Sequence, residues 1–174
     1  VSQRRTLTSL IIAGVAALFG VGRRRERAGT GTAVGQRGRT ATVELDPSRV
    51  RGVRLAYAPR RDGAPSAGEI VWTWVPYAEN DGRGKDRPVL VIARQSADRV
   101  YAVKLTSKNA SGRRDRVGIG SGPWDSQGRP SWVDTDQLYS VHHDGMRREA
   151  ATLDLEKYTR VAHELQQRFG WKVK

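Results

Sequence analysis

The sequence predicts a mainly β protein: a small barrel closed by one C-terminal α-helix. Three observations carry that expectation. Short β-branched and aromatic segments recur through residues 69–152, turn residues separate them, and one stretch of helical periodicity follows. At 174 residues, 37% of them apolar, the chain is sized for one domain with appendages.

"EIVWTWVPY" (69–77) is rich enough in β-branched and aromatic residues to be a strand, as is "RPVLVIARQ" (87–95). Pro88 cannot donate to a ladder, so it is expected at that strand's first position. "RVYAVKLTS" (99–107) sets Val100, Ala102 and Lys104 against Tyr101, Val103 and Leu105 with period two, which completes a meander. "RVGIGSG" (116–122) and "SWVDTDQLYSV" (131–141) read as two further strands around the turn-forming "PWDSQGRP", and "REAAT" (148–152) as a short closing strand. The final segment places Leu155, Tyr158, Val161, Ala162, Leu165 and Phe169 on one helical face, with Asp154 as N-cap.

A composition shift near Gly68 divides the chain into an apolar helix at 1–27, a flexible linker or extension at 28–67, and the barrel domain at 68–174. The apolar run from Leu7 to Val21 lies between Arg4 and Arg5 and the cluster Arg23, Arg24, Arg25 and Arg27. About fifteen helical residues span roughly 23 Å, short of the ~30 Å hydrocarbon core unless the arginines snorkel. A membrane anchor at residues 7–22, a signal peptide and an ordinary buried or surface helix all fit. Arginines directly after the run favour the anchor and put the remainder on the cytoplasmic face of the membrane, with a soluble cytoplasmic protein as the alternative. "AGTGTAVGQRG" (28–38) reads as linker, with short extended pieces at 42–45 and 53–57 and a Pro/Gly loop at 59–68.

The chain has no cysteine and three histidines, which excludes disulfides, thiolate metal sites and cysteine nucleophiles. The formal charge is +13, but the first 67 residues hold 13 of the 31 Lys and Arg and only 4 of the 18 Asp and Glu. Most of the excess therefore lies outside the barrel, and global charge says little about what the barrel binds.

Four segments in order, "GEIVW" (68–72), "GKDRPVLVI" (84–92), "KLTSK" (104–108) and "VDTDQL" (133–138), resemble the signature segments of the PemK/MazF family, the toxins of type II toxin–antitoxin modules. The resemblance covers about residues 68–169. It implies an SH3-like (MazF/CcdB-like) barrel that forms homodimers, is held in check by an antitoxin protein, and in most members is an endoribonuclease. Such enzymes cut single-stranded RNA without metal or cofactor, the 2′-oxygen attacking phosphorus to leave 2′,3′-cyclic phosphate and 5′-hydroxyl ends. That reaction needs stabilised charge on the phosphorane and help with proton transfer.

By resemblance Arg87 matches the catalytic arginine, Thr106 the hydroxyl at the end of the third strand with Ser107 beside it, and Asp136 and Gln137 the acidic-Gln pair. A planar guanidinium keeps its charge at any working pH and can clamp two phosphate oxygens; an arbitrary loop arginine would instead pair with Asp81 or Asp86. The chain departs from the family at Asp134 and Tyr139, where many members carry arginines. Lys85, Lys108, Arg113, Arg114 and Arg116 are candidates to track an RNA backbone, although each alone reads as a solvated charge. Trp72 and Trp74 share a face expected to be core, and Trp124 is expected to be exposed. His142 and His143 match no family motif and read as turn residues. A non-catalytic nucleic-acid or protein-binding module tethered to the membrane is the second reading.

Overall fold

The predicted strands form in the predicted order. The computed structural model describes residues 33–60, 64–79, 81–108 and 112–174, apart from the side chains of 148–150, all within one compact unit. The apolar helix and anchor expected before residue 28 lie outside the described residues. Among the described residues no helix is long and apolar enough to cross a membrane.

The strands are β1 (Val43–Leu45), β2 (Arg54–Leu55), β3 (Glu69–Pro76), β4 (Gly84–Arg94), β5 (Arg99–Thr106), β6 (Arg116–Gly120), β7 (Ser131–His142), β8 (Met146–Thr152) and β9 (Lys172–Val173), with helix α1 (Leu155–Phe169) before the last. An antiparallel sheet runs in the order β1-β7-β5-β4-β3-β8, with β6 also on β7, and β2 pairs in parallel with β9. β3, β4 and β5 are the predicted meander.

Both faces of the sheet are buried, which is why its strands read as nearly continuous apolar runs. On one face Val71, Val75, Val89, Val91, Val100, Ala102, Tyr139 and Val141 form a cluster. On the other, Ile70, Leu90, Ile92, Val103, Leu105 and Leu138 join Tyr158, Val161, Ala162 and Leu165 of α1. Asp154 caps α1 by accepting from the Lys157 amide at 2.9 Å, and Gly170, at φ 70°, ends it in the left-handed conformation.

The sheet curls so that the valine cluster becomes its interior, and the segment before β3 completes the closure. β1 pairs with β7 and approaches β3. Thr73 donates to the Gly145 carbonyl at 2.8 Å and accepts from the Thr42 hydroxyl at 2.9 Å. Gly35 lies against Gly145, where a Cβ would stand 2.5 Å from the Gly145 carbonyl oxygen. Arg99 fastens the same segment from below, donating to the carbonyls of Arg39 (3.1 Å), Ala41 (2.6 Å) and Ser140 (3.0 Å).

Two expectations change. The segment expected as flexible linker is structural from residue 33 onward: Val53 and Leu55 are in the core, and Trp171 donates to the Val50 carbonyl at 3.0 Å. The boundary at Gly68 therefore does not divide the fold. Pro88 lies inside β4 rather than at its start. It is tolerated because β5 pairs with β4 only from Val89 onward, so Pro88 has a ladder partner on one side alone.

A chain begun at Gly68 should lose its cooperative thermal transition, because it lacks β1, β2 and the Thr42 and Leu55 contacts. Leu55→Ala in the full chain should cost about 2–5 kcal/mol in urea unfolding. A Gly68-start chain melting within a few degrees of the full chain would show that the barrel closes without the extension.

Candidate functional site

Antiparallel register brings the predicted arginine and hydroxyl together. Val89 and Lys104 are the last pair of the ladder, and two residues beyond them on each strand Arg87 and Thr106 line the same groove. Alternation places Arg87, Lys104 and Thr106 on the interior face with Val89, where the strands run past the apolar cluster towards the barrel's mouth. A groove of about 270 Å³ opens beside them, lined by Lys85, Arg87, Thr106, Ser107, Lys108, Trp72 and Arg129 among others.

The surroundings of Arg87 decide between a phosphate contact and a structural ion pair. The acids that could neutralise it are claimed by other arginines: Asp81 by Arg83 at 2.6 Å, Asp86 by Arg147 at 2.6 Å, and Asp125 by Arg129 at 2.8 Å. Arg87 is half-buried and has no ion-pair partner among the described residues. The Thr106 oxygen accepts from the Lys108 amide at 3.2 Å, which leaves its hydrogen to donate.

Trp72 is half-buried on the groove wall, its Nε1 buried without a hydrogen-bond partner among the described residues. Trp74 is core, as expected. Trp124, expected to be exposed, is buried and donates to the Ser131 hydroxyl at 3.1 Å; its ring packs into the cluster beneath α1.

Other predicted residues fall elsewhere. Asp136 lines a separate cavity of about 650 Å³ with Glu44, Asp46 and Trp74, and it pairs with Arg168 of α1. Gln137 donates to Glu44 at 3.0 Å. Arg113 pairs with Asp115 at 2.6 Å, and its hydrogen bonds hold that carboxyl at about 2. His142 is buried at the far end of β7, its Nε2 3.2 Å from Asp98, while burial lowers the pKa of His143.

The structure adds a charge cluster that sequence reasoning left unassembled. Asp134, 2% exposed, meets Arg116 Nη1 at 2.6 Å and Lys104 Nζ at 3.5 Å. Arg116 nevertheless makes no well-aligned hydrogen bond through Nε or Nη1. A register shift in β7 opposite Lys104 brings Asp134 there, since Val103 pairs with Leu138 but Leu105 with Val133. Desolvation lowers the pKa of Lys104, and the charges of Arg87 and Arg116 press the same way against the opposing pull of Asp134.

A small curled barrel with an unneutralised arginine facing a hydroxyl at its mouth defines the class, and comparison with known proteins gives the family. The model of the PemK-like, MazF-like toxins of type II toxin–antitoxin systems matches residues 66–169, and the chain belongs to that family. Similar solved structures include MazF (Form-I) from Deinococcus radiodurans, 24% identical with a TM-score of 0.45 over 63% of this chain and 99% of that one. The MazE–MazF complex (Form-II) from the same organism is 21% identical, TM-score 0.48, over 63% and 98%. An endoribonuclease from mycobacterial species is 17% identical, TM-score 0.45, over 64% and 97%. No curated protein sequence matches the chain.

Replacing Asp134 with Ala should cost about 3 kcal/mol, because it strands the partly buried Lys104 and leaves Arg116 only its 3.5 Å contact with Asp115. Asp136→Ala, which breaks a more exposed pair, should stay below about 1 kcal/mol. Urea midpoints measure both, and equal losses would contradict the burial argument.

Proposed function

We propose that this protein is a toxin-type endoribonuclease that cuts single-stranded RNA through attack of a ribose 2′-oxygen on the adjacent phosphorus. The observation that carries the reading is Arg87: half-buried, lining one groove with Thr106, and without a carboxylate partner among the described residues. An arginine left positive in such a place is matched to an anion that arrives from outside.

In this reading Arg87 holds the two non-bridging oxygens and stabilises the phosphorane as charge builds there. Thr106 donates its hydroxyl hydrogen to the same phosphate. Lys85, Ser107 and Lys108 flank the groove where the neighbouring backbone would pass. Trp72 offers a partly exposed ring for an unstacked base, a contact worth roughly 1–3 kcal/mol in single-strand binders. The protein acts as a homodimer, and an antitoxin covers the groove when the toxin is silent.

A second reading, RNA binding without cleavage, is favoured by one observation. Asp136, the residue matched to the family acid, pairs with Arg168 beside a different cavity, and the groove's own acids Asp86 and Asp125 are both ion-paired. A chain bound to RNA with no group positioned to take the 2′-hydroxyl proton would hold the strand intact.

Incubating the full chain with long mixed-sequence RNA in EDTA and mapping the new ends separates the two. Cyclic-phosphate and 5′-hydroxyl ends are expected, with the cleavage rate lowered at least about 100-fold in Arg87→Ala. Retarded but uncut RNA would establish the binding module instead, and cleavage undiminished in Arg87→Ala would remove Arg87 from the mechanism.

A further inference from the structure

Lys104 belongs to none of the matched family segments' assigned roles, yet it stands closest in register to the proposed phosphate site. It is opposite Val89, one alternation step from both Arg87 and Thr106 on the interior face. Its side chain is 22% exposed against 3% for its partner Asp134, so of the two Lys104 is the one that meets solvent, although it is not itself among the residues lining the groove.

The charges around Lys104 do not balance. Arg87 faces it from β4, Arg116 from β6 and Asp134 from β7, with Tyr139 of β7 and Glu44 of β1 close enough for Asp134, Arg87 and Arg116 to influence the same tyrosine. Asp115 is shared by Arg113 at 2.6 Å and Arg116 at 3.5 Å, and Asp134 by Arg116 and Lys104. Four cations, Arg87, Lys104, Arg113 and Arg116, therefore stand against the two carboxylates of Asp115 and Asp134, and Arg87 pairs with neither. Like charges confined in a partly desolvated mouth are costly, and an incoming anion relieves them. The pKa of Lys104 is lowered chiefly by its burial, and Arg87 and Arg116 add to that effect against the opposing pull of Asp134.

We propose that Lys104 is a second cationic contact for the RNA phosphate held by Arg87, with Asp134 occupying the ammonium until the strand arrives. Arg87 and Lys104 then approach the phosphodiester from two adjacent strands while Thr106 closes the third side. Asp134 is a positioning residue: buried behind Lys104 and bonded to the Asp136 amide at 3.2 Å, it fixes where the ammonium waits. This inference rests on the RNA reading above.

The test uses the full chain and a labelled twelve-residue all-2′-deoxy single strand of mixed sequence, which lacks the nucleophile and stays uncut. Binding is measured across a salt series. Each phosphate contact on a single strand contributes about 0.7 to the slope of log affinity against log salt. Lys104→Met should shrink the slope by about that amount and weaken binding several-fold at low salt. Lys104→Arg should preserve both, and Lys172→Met, at an exposed cation of β9, should change neither. Should Lys104→Met fail to fold, the double variant Lys104→Gln/Asp134→Asn removes both charges without stranding either, and the same loss of slope is expected. An unchanged slope in the folded Lys104 variant while Arg87→Ala loses its contact overturns this proposal and leaves the RNA reading standing. Unchanged binding in both variants overturns the two together.

Discussion

The whole architecture depends on closing the gap between β7 and β3. A sheet buried on both faces cannot leave a long edge bare, because unpaired amides and carbonyls there would be desolvated or would recruit another chain. Here the edge is closed by a short strand that the family match at residues 66–169 does not include. Thr42, Thr73 and Gly145 form one continuous hydrogen-bonded seam across the gap, and the Arg99 guanidinium ties the carbonyls of Arg39 and Ala41 to Ser140. Placing the valine cluster inside follows from that seam, and with it the direction in which Arg87, Lys104 and Thr106 point.

Strands were legible wherever burial left an uninterrupted apolar or alternating pattern, and α1 was legible from its stripe and cap. The extension was legible only in part. The extended pieces expected at 42–45 and 53–57 are β1 and β2, but at three and two residues they are too short for periodicity to show what they pair with, and the glycines and threonines around them have the composition of a linker. They serve instead for close approach, Gly35 against Gly145, and for polar bridging, Thr42 to Thr73. Pro88 misled for a similar reason. The rule that proline begins a strand holds for a strand flanked on both sides, and β4 is flanked on only one side at that position.

At the candidate site the same division holds. Arg87 and Thr106 were legible because each sits in a recognisable segment, and register then joined them. Lys104 carried a signal that went unused: it shares its alternation with Val100 and Ala102, so burying those residues puts a lysine on the inner face. Its partner could not be found by counting, because the register shift in β7 is what turns Asp134 towards it. The separation of Asp136 from the groove has the same origin in three dimensions, since α1 brings Arg168 to that carboxylate from more than thirty residues away, 32 along the chain.

The pairing of β2 with β9, reinforced by Trp171 bonding a carbonyl 121 residues earlier, has a consequence for synthesis. Residues 33–57 are made before their partners on β7, Trp171 and β9. The barrel cannot be completed on a partial chain, and its many long-range pairings make closure slow relative to local helix formation. The wall around the groove closes only after β9 has been translated, and a truncated product carrying the Arg87 and Thr106 segments lacks the closed wall that holds them in place.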